Sequence, residues 1–307
     1  MLALIVNPFA GGGRARRRLR SVETALKQLG LDHRVQLTGS LEHARELARD
    51  ATAAGDTPVA FGGDGLIGAV AGALRHSDGV LGVLPGGRGN DFIRSLGIPL
   101  DPLAACRVLA DGVVRDVDLG EAGGRPFVGI ASCGFDSEAN RIANSTRLVG
   151  GNLVYAYGAL RALIGWRSAA FELTTDGETR RVTGYTVAAA NANAYGGGMW
   201  LAPDAALDDG MLDVVIVSHL PKLRFIRLLP TVFRGQHVRH PEVEVLRARE
   251  IEIRASRPFT LYADGDPIAA LPVTVRAIPA AVRMILPSST QRPIPSAAGA
   301  QPGAHAA

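Results

Sequence analysis

Three short glycine clusters stand out in the first third of the chain. They are Asn7-Pro8-Phe9-Ala10-Gly11-Gly12-Gly13, Gly62-Gly63-Asp64-Gly65 and Pro85-Gly86-Gly87-Arg88-Gly89-Asn90-Asp91. Glycine lets a backbone come close to a phosphate, and a helix starting just beyond it points unpaired N–H groups at the anion. One such cluster also makes an ordinary tight turn. Three of them, two with an aspartate, point to a phosphate ligand. Asp64, in the middle of its turn, can cap that turn or hold Mg2+ beside phosphates. No cluster matches G-x-x-x-x-G-K-[ST], or G-x-G-x-x-G with an acidic residue about 20 positions on, so neither a P-loop nor a dinucleotide fold is expected. Later in the chain, Leu207-Asp208-Asp209-Gly210 reads as a polar turn before a strand. Asp264-Gly265-Asp266 joins a hairpin dipeptide to a carboxylate able to take up a proton.

These clusters need a frame. Apolar runs at 2–6, 35–37, 59–61 and 80–84 read as buried strands, and helical periodicity covers 14–29, 41–54 and the stretch from the second glycine cluster to Leu74. Ser40 is a helix cap, and Gly30 and Gly55 are stops. Strands alternating with helices imply parallel pairing in a sheet covered on both faces, and ligands bind such sheets at the carboxyl ends of their strands. After about residue 118 the pattern changes. Short strands are expected at 127–131, 169–174, 182–190, 212–217, 243–246, 251–253 and 259–262, with a hairpin at Asp176-Gly177 and helices over 148–164 and 222–233. The expected division is an α/β domain at 1–120, a mostly antiparallel β-sandwich domain at 121–275 and a final strand at 276–287 returning to the first domain. The Ala, Pro, Gly and Ser residues of 288–307 read as a disordered tail.

Composition narrows the function classes. The 307 residues exceed what one core usually holds. A net charge of +4 suits anionic ligands without choosing among them. Cys106 and Cys133 make neither a disulfide framework nor a zinc site. The apolar run at 1–6 lacks a basic flank and is too short for a signal peptide, and no stretch has the length of a transmembrane helix.

The three clusters, in this order, resemble the catalytic domain of diacylglycerol kinases, which sphingosine and ceramide kinases share. The resemblance runs to about residue 287 through Gly134-Phe135-Asp136, Asn191 with Gly196-Gly197-Gly198, Pro203-Asp204-Ala205, Leu207-Asp208-Asp209-Gly210 and Asp264-Gly265-Asp266. It implies a nucleotide domain followed by a β-sandwich, with the active site in the cleft between them. It also implies an ATP site at Asn7, Pro8, Phe9, Ala10, Gly11, Thr38, Gly62, Gly63, Asp64, Gly65, Arg88, Asn90 and Asp91. Asp64 and Asp91 are similar to the residues that organise catalytic Mg2+. Asp209, with the carbonyls of Ala206 and Met211, is similar to a second, structural metal site. Asp266 holds the place of the general base, where the family has glutamate, one methylene longer. The implied partners are a membrane lipid, diacylglycerol-like, and an anionic membrane surface visited from the cytoplasm. Nucleic acid is not among them, and a homodimer is left open.

The chain also departs from the family. Leu66, Gly68 and Ala69 stand where threonine, asparagine and glutamate are usual, and Arg88 replaces a threonine with a cation able to clamp phosphate. Two rival readings are a soluble NAD kinase, which shares the Gly-Gly-Asp-Gly turn, and a non-catalytic lipid-binding protein. Arg14, Arg16, Arg17, Arg18 and Arg20 crowd a helix N-terminus, where their charge opposes the dipole. They read equally as a solvated face or as contacts to phosphate or lipid headgroups.

Overall fold

The computed structural model describes residues 1–146 and 153–288. The first half runs β1 (Leu2–Val6), α1 (Ala10–Gln28), β2 (His33–Leu37), α2 (Leu41–Ala53), β3 (Thr57–Gly62), α3 (Asp64–Ala73), β4 (Val80–Pro85), α4 (Asp91–Ser95) and α5 (Pro102–Asp111). The second half runs β5 (Val113–Ala122), β6 (Arg125–Phe127), β7 (Ile130–Gly134), α6 (Phe135–Ser145), α7 (Leu153–Gly165), β8 (Ala169–Thr175), β9 (Glu178–Ala190), β10 (Leu212–Ser218), α8 (Lys222–Val232), β11 (Val243–Ala248), β12 (Glu250–Ala255), β13 (Thr260–Ala263), β14 (Asp266–Ala270) and β15 (Val273–Leu286).

The continuous apolar runs of β1, β3 and β4 become the buried centre of a parallel sheet in the order β2-β1-β3-β4. Helix α1 packs with α5, and α2 with α3, covering the sheet through one core. The strand order reverses direction between β1 and β3, a switch point where a crevice opens beyond the carboxyl ends. Ser40 caps α2 by accepting the His43 N–H, as its sequence position predicts. Within α1, Gly11, Gly12 and Gly13 are all left-handed, so regular helix begins at Arg14, as expected.

The second half is antiparallel. Strands β7, β8, β10, β12, β13 and β15 enclose an apolar interior, and β10 alternates Leu212, Val214 and Ile216 inward with Val215 and Val217 outward. Outside this sandwich, α6, α7 and α8 bury a cluster that includes Phe135, Trp166, Tyr185 and Phe225. Trp166 is thus a core residue. The Asp176-Gly177 hairpin forms as expected, with both residues at positive φ. Strand β15 runs from β12 in the sandwich to β4 in the parallel sheet, so it starts earlier than the expected return strand.

Helices α5 and α6 were not expected. The first is announced by Asp101-Pro102, an N-cap followed by a proline in the first turn, with Asp101 accepting the Ala104 N–H. The helix expected over 148–164 is α7, whose beginning borders the undescribed residues 147–152. The expected tail lies outside the described residues apart from Ser288. Among the described residues no helix is long and apolar enough to cross a membrane.

Candidate active site

The glycine loops leave β1, β3 and β4 side by side at the carboxyl end of the sheet, packed backbone to backbone. A Cβ on Gly11 would lie 2.6 Å from the Gly86 carbonyl, and one on Gly87 would lie 2.5 Å from the Gly63 Cα. These glycines are required by the contact between loops. Gly12 and Gly65 are different, because the space before each is open. There a phosphate can approach the backbone, and Gly65 lies in the first turn of α3, among its unpaired N–H groups.

Several expected ATP-site residues shape these loops. Asn7 Oδ1 accepts the Phe9 N–H at 3.0 Å. Pro8 is half-buried, Phe9 is exposed and Ala10 is buried. Thr38 is buried, and its hydroxyl donates to the Ser40 carbonyl at 2.5 Å, so it supports the start of α2. Asn90 Oδ1 accepts the Gly87 N–H at 2.9 Å and closes the third loop. Arg88 is exposed on the cavity wall with its guanidinium available to an anion. Of the arginine cluster, Arg17 donates to the Gly12 carbonyl at 2.9 Å, closing the first loop from outside.

Asp64 and Asp91 meet in the cleft. Asp64 accepts the Asp91 and Phe92 N–H groups at 3.2 and 3.1 Å, capping α4 from across the loops. Burial raises its pKa, and the neighbouring Asp91 raises it further. Asp91 Oδ2 accepts the Gly197 N–H at 2.7 Å, while its buried Oδ1 has no hydrogen-bond partner and only a distant ion pair with Arg94 at 3.9 Å. Burial also raises the Asp91 pKa. Two repelling carboxylates with an unused buried oxygen suit a hard divalent cation, which binds through oxygens. The residues present therefore fit Mg2+.

The β half supplies the facing wall. Asp264 and Gly265 form the two-residue turn between β13 and β14, with φ of 53° and 91°. Asp264 accepts the Val128 and Gly129 N–H groups, each at 2.9 Å. Burial first, and then the nearby Asp64 and Asp266, push its pKa to about 7 against the lowering effect of those two bonds. Beside it, Asp136 accepts from Tyr195 at 3.1 Å and Thr186 at 3.3 Å, and burial pushes its pKa to about 6. The cleft holds a cavity of about 250 Å³. Asp64, Arg88, Asp91, Asp136 and Asp264 line it together with an apolar side formed by Ile130, Phe135, Ala139, Ala159, Met199 and Leu229.

Four expected site residues lie elsewhere. Asp266 begins β14, exposed on the rim, and does not line the cavity, though it is near enough to raise the Asp264 pKa. Asp209 is exposed, ion-paired with Arg247, and accepts the Met211 N–H at 2.9 Å. Ala206 and Met211 are half-buried in the same loop. The buried carboxylate organising that loop is Asp118, which accepts the Gly210 N–H at 2.6 Å and the Ala280 N–H at 2.7 Å. With its charge held by Arg247, Asp209 does not fit a cation ligand as placed. No group of three or more His, Cys, Asp or Glu side chains forms a metal cluster among the described residues. Sequence reasoning passed over Asp118 and Tyr195, and it named Asp136 only within the Gly134-Phe135-Asp136 motif, without a role. Only Asp136 carried a signal, the Gly-Phe-Asp triplet at the end of β7.

Known proteins resemble this chain over both of its halves. Residues 1–122 match the model of the diacylglycerol kinase catalytic domain, and residues 129–286 that of the YegS C-terminal NAD kinase beta sandwich-like domain. A Mycobacterium tuberculosis (strain ATCC 25618 / H37Rv) protein named diacylglycerol kinase is 34% identical over 92% of this chain and 94% of its own. Diacylglycerol kinase of Bacillus subtilis (strain 168) is 31% identical over 88% and 90%. A Pseudomonas fluorescens protein named "Probable lipid kinase YegS-like" is 33% identical over 89% and 91%. The crystal structure of a diacylglycerol kinase from Bacillus anthracis str. Sterne shares the fold, with a TM-score of 0.72 at 21% identity over 94% of this chain and 97% of that one.

Proposed function

Because this chain belongs to the diacylglycerol kinase catalytic-domain family, we propose that it is a lipid kinase that moves the γ-phosphate of ATP to the hydroxyl of a diacylglycerol-like lipid. The observation that carries this reading is the cavity itself. It joins the third glycine loop, at Arg88 and Gly89, and three carboxylates, Asp64, Asp91 and Asp264, to an apolar wall that suits an acyl chain.

Each part of the cleft has a task. The loops at Gly12 and Gly65 and the Arg88 guanidinium hold the triphosphate. Asp64 and Asp91 would hold Mg2+, which neutralises charge on the phosphates. Positioning and charge stabilisation supply most of the rate in such transfers. The lipid hydroxyl oxygen bonds to the γ-phosphorus, the bond from that phosphorus to the bridging oxygen breaks, and ADP leaves with the electron pair. The hydroxyl proton passes to a carboxylate of the β13–β14 turn. Both Asp264 oxygens already accept backbone N–H groups, so Asp264 anchors the turn and Asp266 on the rim takes the proton.

The test offers γ-labelled ATP with diacylglycerol in mixed micelles, and separately with NAD. Label in the organic phase, dependent on Mg2+, is expected. Label on NAD, or lipid binding without any transfer, would overturn the proposal.

A further inference from the structure

Helix α8 carries two apolar stripes. Phe225, Leu228 and Val232 are buried against the sandwich. Leu223, Ile226, Pro230 and Phe233, at i, i+3, i+7 and i+10, form a second stripe that faces solvent. Leu223 is 62% exposed and Phe233 54%. A helix that needs only to pack on a core has no use for the second stripe.

Helix α7 adds to the same surface. Leu160 and Ile164, one turn apart, are 60% and 67% exposed. Lys222 Nζ donates to the Ile164 carbonyl at 2.8 Å, fastening the start of α8 to the end of α7, so the two exposed stripes adjoin. Neither helix contains an acidic residue. Exposed Arg161, Lys222, Arg227 and Arg234 flank the apolar side chains, while Arg224 is neutralised by Glu242 at 2.6 Å.

We infer that this α7–α8 face is a docking surface for an anionic phospholipid bilayer, an inference that rests on the lipid-kinase reading for its purpose. Apolar side chains ringed by lysine and arginine match the acyl boundary and the headgroups of such a membrane. The same two helices also reach the active site, since Ala159 of α7 and Leu229 of α8 line the cavity that holds Asp64 and Asp264. A lipid drawn from a bilayer seated here meets the cavity through the wall between them, without crossing water.

Vesicle sedimentation tests the surface without relying on turnover. Wild type should sediment with equimolar phosphatidylcholine–phosphatidylglycerol vesicles, less with phosphatidylcholine alone, and less again at high salt. The variant Ile164→Gln/Leu223→Gln/Ile226→Gln should bind at least about tenfold more weakly, given the value of burying such side chains. Arg161→Gln/Arg227→Gln should lose the preference for anionic vesicles. Both should keep the wild-type melting temperature and turnover on a dispersed short-chain acceptor. Wild-type-like sedimentation of the apolar variant overturns the inference, as does a wild type that sediments with neither vesicle. A wild-type dimer in light scattering that this variant converts to monomer also overturns it, because the face then belongs to a second copy. Sedimentation as expected with no lipid phosphorylation by wild type would leave the docking surface standing and remove the kinase reading.

Discussion

The Gly197 N–H donates a 2.7 Å hydrogen bond to Asp91 Oδ2, across 106 positions of sequence, and joins the α/β half to the β half at the cleft. A second link lies nearby, where the Ser95 hydroxyl donates to Asn193 Oδ1 at 2.7 Å. Asp91 thus fastens the cleft with one oxygen, while its other, buried oxygen has no hydrogen-bond partner.

The substitution Asp91→Asn separates this fastening from the proposed cation role. The amide oxygen still accepts the Gly197 N–H, but the charge is gone. Turnover should fall by about 10² or more, the scale of losing one electrostatic contact at a transferring phosphoryl group. The melting temperature should hold or rise, because burial already disfavours the ionised carboxylate. Full turnover in a well-folded Asn variant would remove the cation role.

The two carboxylates of the β13–β14 turn are distinguished by a pair of variants. Asp266→Asn should slow transfer by about 10² to 10⁴, the usual scale for losing acid–base help, with little change in KM for ATP or in melting temperature. Asp264→Asn should lower the melting temperature, because the Val128 and Gly129 N–H groups bind different oxygens and the amide sets an NH2 donor against one of them. The reverse pattern, a stable inactive Asp264→Asn and a fully active Asp266→Asn, would transfer the base to Asp264. Asp266→Glu then reports on reach. A gain means that aspartate stands too far back, and a loss means that the cleft has adapted to it.

Asp136 makes stability depend on pH. Its pKa is about 6 in the folded protein, above the ordinary carboxylate value. Between the two values the folded chain holds a proton that the unfolded chain lacks. The contribution of this group is therefore fully present below about pH 4 and is lost as pH rises through its folded value. Asp136→Asn abolishes that loss. Relative to wild type, it should gain on the order of 3 kcal/mol as pH rises from about 4 to about 6, and keep that gain at higher pH. A mutant-minus-wild-type difference in melting temperature that stays flat with pH would contradict this.

The glycines should divide into two classes. Gly87→Ala forces a Cβ against the Gly63 backbone and should destabilise the fold by about 1–3 kcal/mol, the range for overpacking. Gly65→Ala meets open space in a helical turn and should leave stability equal or slightly higher. It fills the room where a phosphate approaches, so KM for ATP should rise by about tenfold or more, if the loss is near the 1.4 kcal/mol that a factor of ten requires. Equal melting curves for the two variants would show that the loops do not pack as described.

Much of this architecture was legible because its causes are local. β1 is a run of five apolar residues ending at Asn7-Pro8, and α8 shows its helical period within eleven residues. Ser40 needs only His43, three positions away, to act as a cap. The glycine clusters marked the loops at the carboxyl edge of the sheet, since a loop after a parallel strand opens there. Helix α6 escaped notice because its apolar residues are interrupted by polar ones, and its place is set by packing on β7 and α7.

Which residue does what was decided by tertiary structure. Asp208, Asp209 and Asp118 are alike in sequence, yet only Asp118 is buried, because the loop carrying Gly210 and the segment carrying Ala280 fold over it from 92 and 162 positions away. Asp264 enters the cavity and Asp266 does not, because the two-residue turn and the 128–129 backbone, 136 and 135 positions earlier, fix the direction of the first carboxylate. The sequence by itself determined the residue types, the parallel-sheet frame and the glycine loops at its carboxyl edge, all of which follow from the preferences of neighbouring residues. Burial, charge and partner choice are set by segments that meet only in the folded chain, and no local pattern encodes those meetings.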